Sequence, residues 1–307
     1  MIRIGLVGVG KIAHDQHIPA IAGDPRFELV AAASRSKPDL GGIPVFHDIE
    51  TMLAEGPELD AVALCTPPQA RRETALAALR AGKHVFLEKP PGATVSEVAE
   101  LAAVAREHGV VLFTSWHSRF AAGVPQAKAW LASRQVRKLA IEWREDVRRW
   151  HPGQTWIWQA GGMGVFDPAI NALSILTEIM PTEVFVTDAR LQVPENVQSP
   201  IAGSVAMTTL GGAEITADLD FLQTGPQTWD ITAWADDGVL KLSLGGAELT
   251  VDGVAVEVGK NREYPGLYDR FAGLVARGES EVDVRPLTLV ADAFLVGVRE
   301  SVEAFIE

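Results

Sequence analysis

The sequence predicts an α/β protein: a doubly wound parallel sheet in the N-terminal part, then an α+β domain on a large, mostly antiparallel open sheet. Three observations carry this. Up to about residue 120, short β-rich apolar runs alternate with helical patterns, as a parallel sheet with crossover helices requires. Beyond it the pattern changes to long stretches of alternating apolar and polar residues, the mark of antiparallel strands with one solvated face. A length of 307 residues is enough for two domains that each bury a core. The expected division is 1–120 and 121–307, with the C-terminal helix available to pack back on the first domain.

Element by element, strands are expected at 3–7, 29–34, 61–66, 84–88 and 110–115. Helical spacing of apolar residues covers 69–81 and 95–108, and the second of these opens with Thr94-Val95-Ser96-Glu97, a capping-box pattern. After one more helix, strands are expected at 137–147, 182–193, 213–221 and 229–235. Helical spacing returns over 268–276 and over 287–305, the latter introduced by Arg285-Pro286.

Composition excludes several classes of function. With 47% hydrophobic and 22% charged residues the chain reads as globular, and no run approaches the ~18 apolar residues of a membrane span. The N-terminus leads directly into a strand with no export signal, so a cytoplasmic location is expected. A net charge of −13 would repel a nucleic-acid backbone. The single cysteine, Cys65, lies in an apolar run, so no internal disulfide can form and a buried, inert thiol is expected.

The first motif is Gly8-Val9-Gly10-Lys11-Ile12-Ala13, placed between a strand and a helix. Gly8 permits the tight turn, Gly10 lets backbone approach a pyrophosphate, and Ala13 allows close packing of helix on strand. The free N–H groups and partial positive charge at the helix start suit phosphates. A Rossmann-type dinucleotide site is therefore expected, with Gly8, Gly10, Lys11 and Ile12 in contact with the cofactor. At the end of the second strand no acid is present to hold ribose hydroxyls. Ser34 and Arg35 stand there instead and suit a 2′-phosphate, which predicts NADP in preference to NAD.

Two further strand ends, at Cys65-Thr66-Pro67-Pro68 and Glu88-Lys89-Pro90-Pro91, face the carboxyl edge of the sheet, where doubly wound folds bind ligands. Thr66, Pro67, Glu88 and Lys89 are therefore cofactor-site candidates. Pro90 keeps Lys89 out of helical geometry and admits a cis peptide, which would aim the ammonium. A lysine held near a cofactor can polarise or relay a proton from a hydroxyl. In the second domain, Gly161-Gly162-Met163-Gly164-Val165-Phe166-Asp167-Pro168-Ala169-Ile170-Asn171 leads into a helix and places Asp167 and Asn171 on one face. Asp167 reads either as an N-cap or as a proton acceptor.

The glycine turn, the Glu88-Lys89-Pro90 element and the Gly-Gly stretch through Asp167 and Asn171 together resemble the Gfo/Idh/MocA oxidoreductase family over essentially the whole chain. The resemblance implies a Rossmann domain, an α/β domain on a mostly antiparallel sheet and a sugar-like substrate between them. That family usually has His where this chain has Asn171, and an amide does not exchange protons at neutral pH. Acid/base work is therefore expected of Lys89 and Asp167. Trp116-His117-Ser118-Arg119, the run 145–154, Trp156-Ile157-Trp158 and Phe166-Asp167-Pro168 resemble more closely the bacterial members acting on L-arabinose or D-galactose. This implies that His117, Trp150, Asn171 and Trp229 bind the sugar. Six of the eight tryptophans fall between 116 and 158, and sugar C–H faces stack on large rings. The charged run 144–149 is read as a solvated face without a catalytic role.

The implied reaction is oxidation of the anomeric carbon of L-arabinose, D-galactose or D-fucose to the lactone with NADP or NAD and no metal. Two alternatives stay open: a non-catalytic cofactor-binding sugar sensor, and a family oxidoreductase acting on another sugar or polyol. The expected partner is a free monosaccharide, with a homodimer possible through the C-terminal sheet.

Overall fold

The computed structural model describes residues 1–307, which form two units: Met1–Trp116 with Tyr264–Val284, and His117–Glu263 with Arg285–Glu307. In the first, the chain runs through β1 (Ile2–Val7), a wide helical turn (Ala13–His17), α1 (Ile18–Ala22), β2 (Phe27–Ala33), β3 (Val45–Phe46), α2 (Ile49–Glu55), β4 (Ala61–Leu64), α3 (Arg71–Arg80), β5 (His84–Leu87), α4 (Val95–Glu107) and β6 (Leu112–Thr114). These strands make one parallel sheet in the order β3-β2-β1-β4-β5-β6. The strand order reverses beside β1, and such a switch point opens a crevice at the carboxyl ends of the strands.

Every residue of β4 is buried. A strand covered on both faces reads as a continuous apolar run, which is why these strands carry no alternation. Of the expected capping box, Thr94 caps α4 by accepting from the Glu97 amide at 3.2 Å, while the Glu97 carboxylate accepts from the amide of Ala93, the residue before the cap, at 3.0 Å.

The second unit contains α5 (Val124–Leu131), β7 (Val136–Arg144), α6 (Val147–Trp150), α7 (Phe166–Ile179), β8 (Val184–Pro194), β9 (Ala202–Thr209), β10 (Glu214–Asp220), β11 (Thr228–Ala235), β12 (Gly238–Ser243), β13 (Glu248–Val251) and β14 (Val254–Ala255). The chain then returns to the first unit as α8 (Glu263–Arg277) and ends in the second with α9 (Arg285–Val296) and β15 (Val298–Val302). The nine-stranded sheet has the order β14-β13-β12-β11-β7-β10-β9-β8-β15. Only β10 with β7 and β15 with β8 pair in parallel, so the sheet is mostly antiparallel. Along β7, Leu139, Ile141 and Trp143 are buried, while Lys138 and Glu142 are exposed. α7 is buried on nearly every side, which marks it as the core helix of this unit.

Two elements differ from the sequence reading. The helix expected over 287–305 stops at Val296, and Val298–Val302 pairs with β8 as an edge strand. A Cβ on Gly297 would lie 2.5 Å from the Ala293 carbonyl oxygen, so only glycine permits the close approach at which the helix ends, and the open edge of β8 takes up the residues that follow. α9 packs within the second unit, and it is α8 that joins the first. α8 does so because Phe271 meets Phe86 edge-on at 5.5 Å and stacks on Phe27 at 6.3 Å, while Tyr268 stacks on Phe86 at 5.2 Å.

A buried polar knot fastens α8. His17 is fully buried, with Nε2 3.0 Å from Glu88 Oε1 and Nδ1 2.8 Å from the Tyr268 hydroxyl. The Tyr264 hydroxyl donates to the same Glu88 oxygen at 2.7 Å. Burial by itself would lower the His17 pKa. The surrounding Cys65, Tyr268 and Glu88 outweigh it and hold the imidazole well above its ordinary 6.5, while burial pushes the Tyr268 hydroxyl up to about 12.

A raised folded-state pKa gives stability that is complete below 6.5 and is lost as pH rises through the folded value. His17→Gln is expected to cost about 3 kcal/mol at about pH 6, with the gap to wild type narrowing toward pH 9. Urea unfolding at the two pH values checks this, and an equal gap at both would contradict the buried imidazolium.

Candidate functional site

In the first unit the carboxyl ends of β1, β2 and β4 enclose a cavity of about 430 Å³ lined by Gly8, Gly10, Ser34, Arg35, Thr66 and Pro67 among others. β1 delivers Gly8 at φ +87°, and a Cβ there would lie 2.9 Å from the Thr66 amide nitrogen. The turn thus requires glycine for both conformation and space. A Cβ on Gly10 would meet nothing within 4 Å, which leaves that side of the turn open to a ligand. Ala13 is fully buried where helix and strand meet. Thr66 Oγ1 is buried without a hydrogen-bond partner, a hydroxyl that a bound group can satisfy.

At the far end of the cavity Ser34 is half-buried, with its hydroxyl 3.1 Å from that of Ser36, and Arg35 is exposed. Asp48 and Glu50 line the same end, but the Asp48 carboxylate caps α2 by accepting from the Thr51 amide at 2.8 Å. That hydrogen bond holds its carboxyl below the usual range. Lys11 and Ile12 do not line the cavity; they follow Gly10 on the exposed start of the helical turn, where Lys11 pairs with Asp15.

Glu88 and Lys89 also lie outside this lining. Glu88, 3% exposed, has its carboxylate engaged inside the unit by His17, Tyr264 and the Lys89 amide, the last at 2.7 Å. Its side chain therefore positions the segment, in contrast to the cofactor contact expected of it. The buried Arg71 guanidinium donates to the carbonyls of Thr66, Glu88 and Pro90 and so ties the two strand ends together. The Lys89-Pro90 peptide is cis, and Lys89 is half-buried. Cys65 is half-buried on the cavity wall, in contrast to the fully buried thiol expected.

In the second unit the Gly-Gly stretch is compressed against its neighbours. A Cβ on Gly162 would lie 2.2 Å from the Trp156 carbonyl oxygen, and one on Gly164 (φ +53°) 2.1 Å from that of Pro200. The Val165 amide bonds to the same Pro200 oxygen at 2.8 Å, which fixes the entry of α7. The cap residue of α7 is Val165, with no side-chain cap bond, so Asp167 sits inside the first turn and is not the N-cap. Its side chain is 4% exposed and its Oδ2 faces His151 Nδ1 at 3.8 Å. Asn171 follows one turn later on α7, half-buried.

His151 Nε2 lies 3.0 Å from Glu145 Oε1, and Trp229 Nε1 donates to Glu145 Oε2 at 2.9 Å. Glu145 is 2% exposed. The ring of Trp229 packs against Trp150 at 5.1 Å and stacks on its register partner Trp143 at 6.0 Å. The second unit thus gathers Asp167, Trp150 and Trp229 around two residues to which the sequence reading gave no role in the site, Glu145 and His151. Glu145 belongs to the charged run read as solvated. The signal that could have found it is the strand period, since buried Trp143 and buried Val147 place it on the inward side.

His117 stands on a single turn, His117–Phe120, held to α7 by Arg119, which donates to the Ser174 carbonyl at 3.1 Å and the Thr177 hydroxyl at 3.0 Å. His117 Nδ1 is 3.2 Å from Glu263 Oε2. Burial pushes Glu263 up, but the hydrogen bond and charge of His117 prevail and hold its carboxyl below the usual range. An ionised carboxylate only accepts, so His117 Nδ1 carries the hydrogen of this contact.

A model of an oxidoreductase family with an NAD-binding Rossmann fold, Gfo/Idh/MocA, matches residues 2–115. Galactose 1-dehydrogenase of Pseudomonas fluorescens is 47% identical over 99% of this chain and 98% of its own length. The crystal structure of D-galactose-1-dehydrogenase from Rhizobium etli superimposes with a TM-score of 0.95 at 54% identity, covering 99% of this chain and 98% of that one. A 3-ketoreductase of Actinomadura kijaniata, solved with NADP and TDP-benzene, shares the fold at 21% identity and a TM-score of 0.85, covering 98% and 99% of the two chains. No helix in the chain is long and apolar enough to cross a membrane.

Because a Cβ at Gly8 would strike the Thr66 backbone, Gly8→Ala is expected to weaken dinucleotide binding by at least about tenfold, a loss of ~1.4 kcal/mol. Fluorescence titration with NADPH and NADH measures it, and unchanged affinity would remove this turn from the cofactor site.

Proposed function

Because this chain belongs to the Gfo/Idh/MocA oxidoreductase family, we propose that it is an NAD(P)-dependent aldose 1-dehydrogenase that oxidises the anomeric carbon of D-galactose to the lactone. L-Arabinose and D-fucose, which share the ring stereochemistry and differ at C5, are further substrates in this reading. Asp167 carries it: a buried carboxylate inside the first turn of the core helix, two residues past the cap position, in a chain alike over 99% of its length to galactose 1-dehydrogenase.

In this reading Asp167 accepts the proton of the anomeric hydroxyl and Lys89 orients that hydroxyl or relays its proton. His117 and the Asn171 amide each bind a sugar hydroxyl. Trp150 and Trp229 offer ring faces to the sugar C–H groups. The cofactor is held by Gly8, Gly10, Thr66 and Pro67, by backbone amides at Lys11 and Ile12, and by Ser34 and Arg35 at the adenosine end. When bound, the oxidised nicotinamide supplies the hydride acceptor. Arg35 favours NADP by pairing with the 2′-phosphate, with NAD still usable. The solvent-facing side of the nine-stranded sheet, which carries the Arg144–Asp218 and Lys241–Asp230 pairs, is where a second copy would dock.

Two measurements at 340 nm test the reading. With D-galactose and NADP, wild type is expected to turn over, while Lys89→Ala and Asp167→Asn each lower kcat on the order of 10²-fold or more. Absence of galactose, arabinose and fucose oxidation in wild type refutes it. Arg35→Ala is expected to lower the ratio of NADP to NAD efficiency by at least about tenfold, and an unchanged ratio would remove Arg35 from 2′-phosphate recognition.

A further inference from the structure

The buried row Asp167, His151, Glu145 in the second unit has a polarity that a purely structural ion pair does not need. Glu145 is almost wholly buried, and its two oxygens are taken by His151 Nε2 at 3.0 Å and Trp229 Nε1 at 2.9 Å. An ionised carboxylate only accepts, so Nε2 of the imidazole bears a hydrogen. In the singly protonated ring Nδ1 keeps a lone pair, and Nδ1 faces Asp167 Oδ2 at 3.8 Å. Against an ionised Asp167 this contact gains nothing. Once Asp167 carries a proton it becomes a donor–acceptor pair, and catalytic contacts that are long without substrate commonly tighten in the complex.

We infer that His151, held by Glu145, is a positioning residue that takes the proton from Asp167 after sugar oxidation and passes it to water. The inference rests on Asp167 being the base of the proposed reaction. The balance is as follows. The C1–H bond breaks and its electron pair leaves as hydride to the oxidised cofactor. The O1–H bond breaks and its proton goes to Asp167 Oδ2 as the C1=O bond of the lactone forms. The Asp167 O–H bond then breaks as the proton binds His151 Nδ1, and the buried Glu145 carboxylate neutralises the imidazolium. Nδ1 releases the proton to water, which the half-buried ring can reach at 15% side-chain exposure. Asp167 is thereby returned to its basic form without the sugar having to leave first.

Two surroundings keep the ring in this orientation. His151 closes the short helix α6, with its amide on the Val147 carbonyl at 2.8 Å, and its ring packs against Phe221 at 5.5 Å. Glu145 is fixed by its own amide on the Asp220 carbonyl at 2.9 Å, so carboxylate and imidazole approach from the two ends of one tight segment.

His151→Asn keeps a donor for Glu145 but cannot carry a proton, and is expected to lower kcat on the order of 10²-fold with the KM for galactose within about threefold of wild type. His151→Ala is expected to lose kcat likewise and to recover part of it on addition of imidazole. Glu145→Gln, which presents an amide donor to the ring and reverses its tautomer, is expected to lose kcat with far-ultraviolet circular dichroism unchanged. Full activity in His151→Asn, or a raised KM with kcat intact, would overturn the relay, as would a loss in His151→Ala that imidazole leaves untouched. Wild type is assayed alongside: inactivity there overturns the proposed function and the relay with it, whereas active wild type with fully active His151→Asn overturns the relay alone.

Discussion

A carboxylate deprived of water is costly to hold unless donors meet both of its oxygens, and Glu88 is such a group. Its donors come from three parts of the first unit: His17 on the helical run after the glycine turn, Tyr264 on α8, and the amide of Lys89 next to it. Moving any one leaves a buried charge short of a partner. The glycine turn, the end of β5 and α8 therefore hold one another in place, and Lys89 leaves the sheet in a direction set by the core. Arg71 extends the constraint to β4 by gathering the carbonyls of Thr66, Glu88 and Pro90.

Glu145 does for the second unit what Glu88 does for the first. Its oxygens fix the imidazole of His151 and the indole of Trp229, so a ring proposed to face sugar and a ring proposed to move a proton share one anchor. That anchor sits just beyond the end of β7, whose register with β10 and β11 is specified by the inward side chains Leu139, Ile141 and Trp143. Mounting the proposed reactive groups at strand ends and on the first turn of a core helix gives them a rigidity that loops alone do not supply.

Much of this was legible in the residues. The glycine turn, the strand ends after β4 and β5, and the entry into α7 are signalled by side chains within a few positions of one another, and the cavity at Gly8, Gly10, Ser34, Arg35, Thr66 and Pro67 follows from them. Asp167 at the start of the helix was legible too, but its place inside the first turn and not at the cap was not. That depended on the backbone of Gly164 and Val165 meeting Pro200, some thirty-five residues away in the chain. The edge strand Val298–Val302 was hidden because an apolar pattern that suits a helix also suits a strand beside an open edge, and only β8 offers that edge.

The sequence by itself determined the two kinds of sheet, the glycine turn, the chain's kinship and the residue types of the candidate site, because each of these is written in short-range spacing and in the period of burial. Tertiary structure decided which charges are buried and what holds them: Glu88 meets Tyr264 across 176 positions, and Trp229 meets Glu145 across 84. A carboxylate looks the same in the sequence whether it is solvated or enclosed, and the difference lies in donors that only folding brings near.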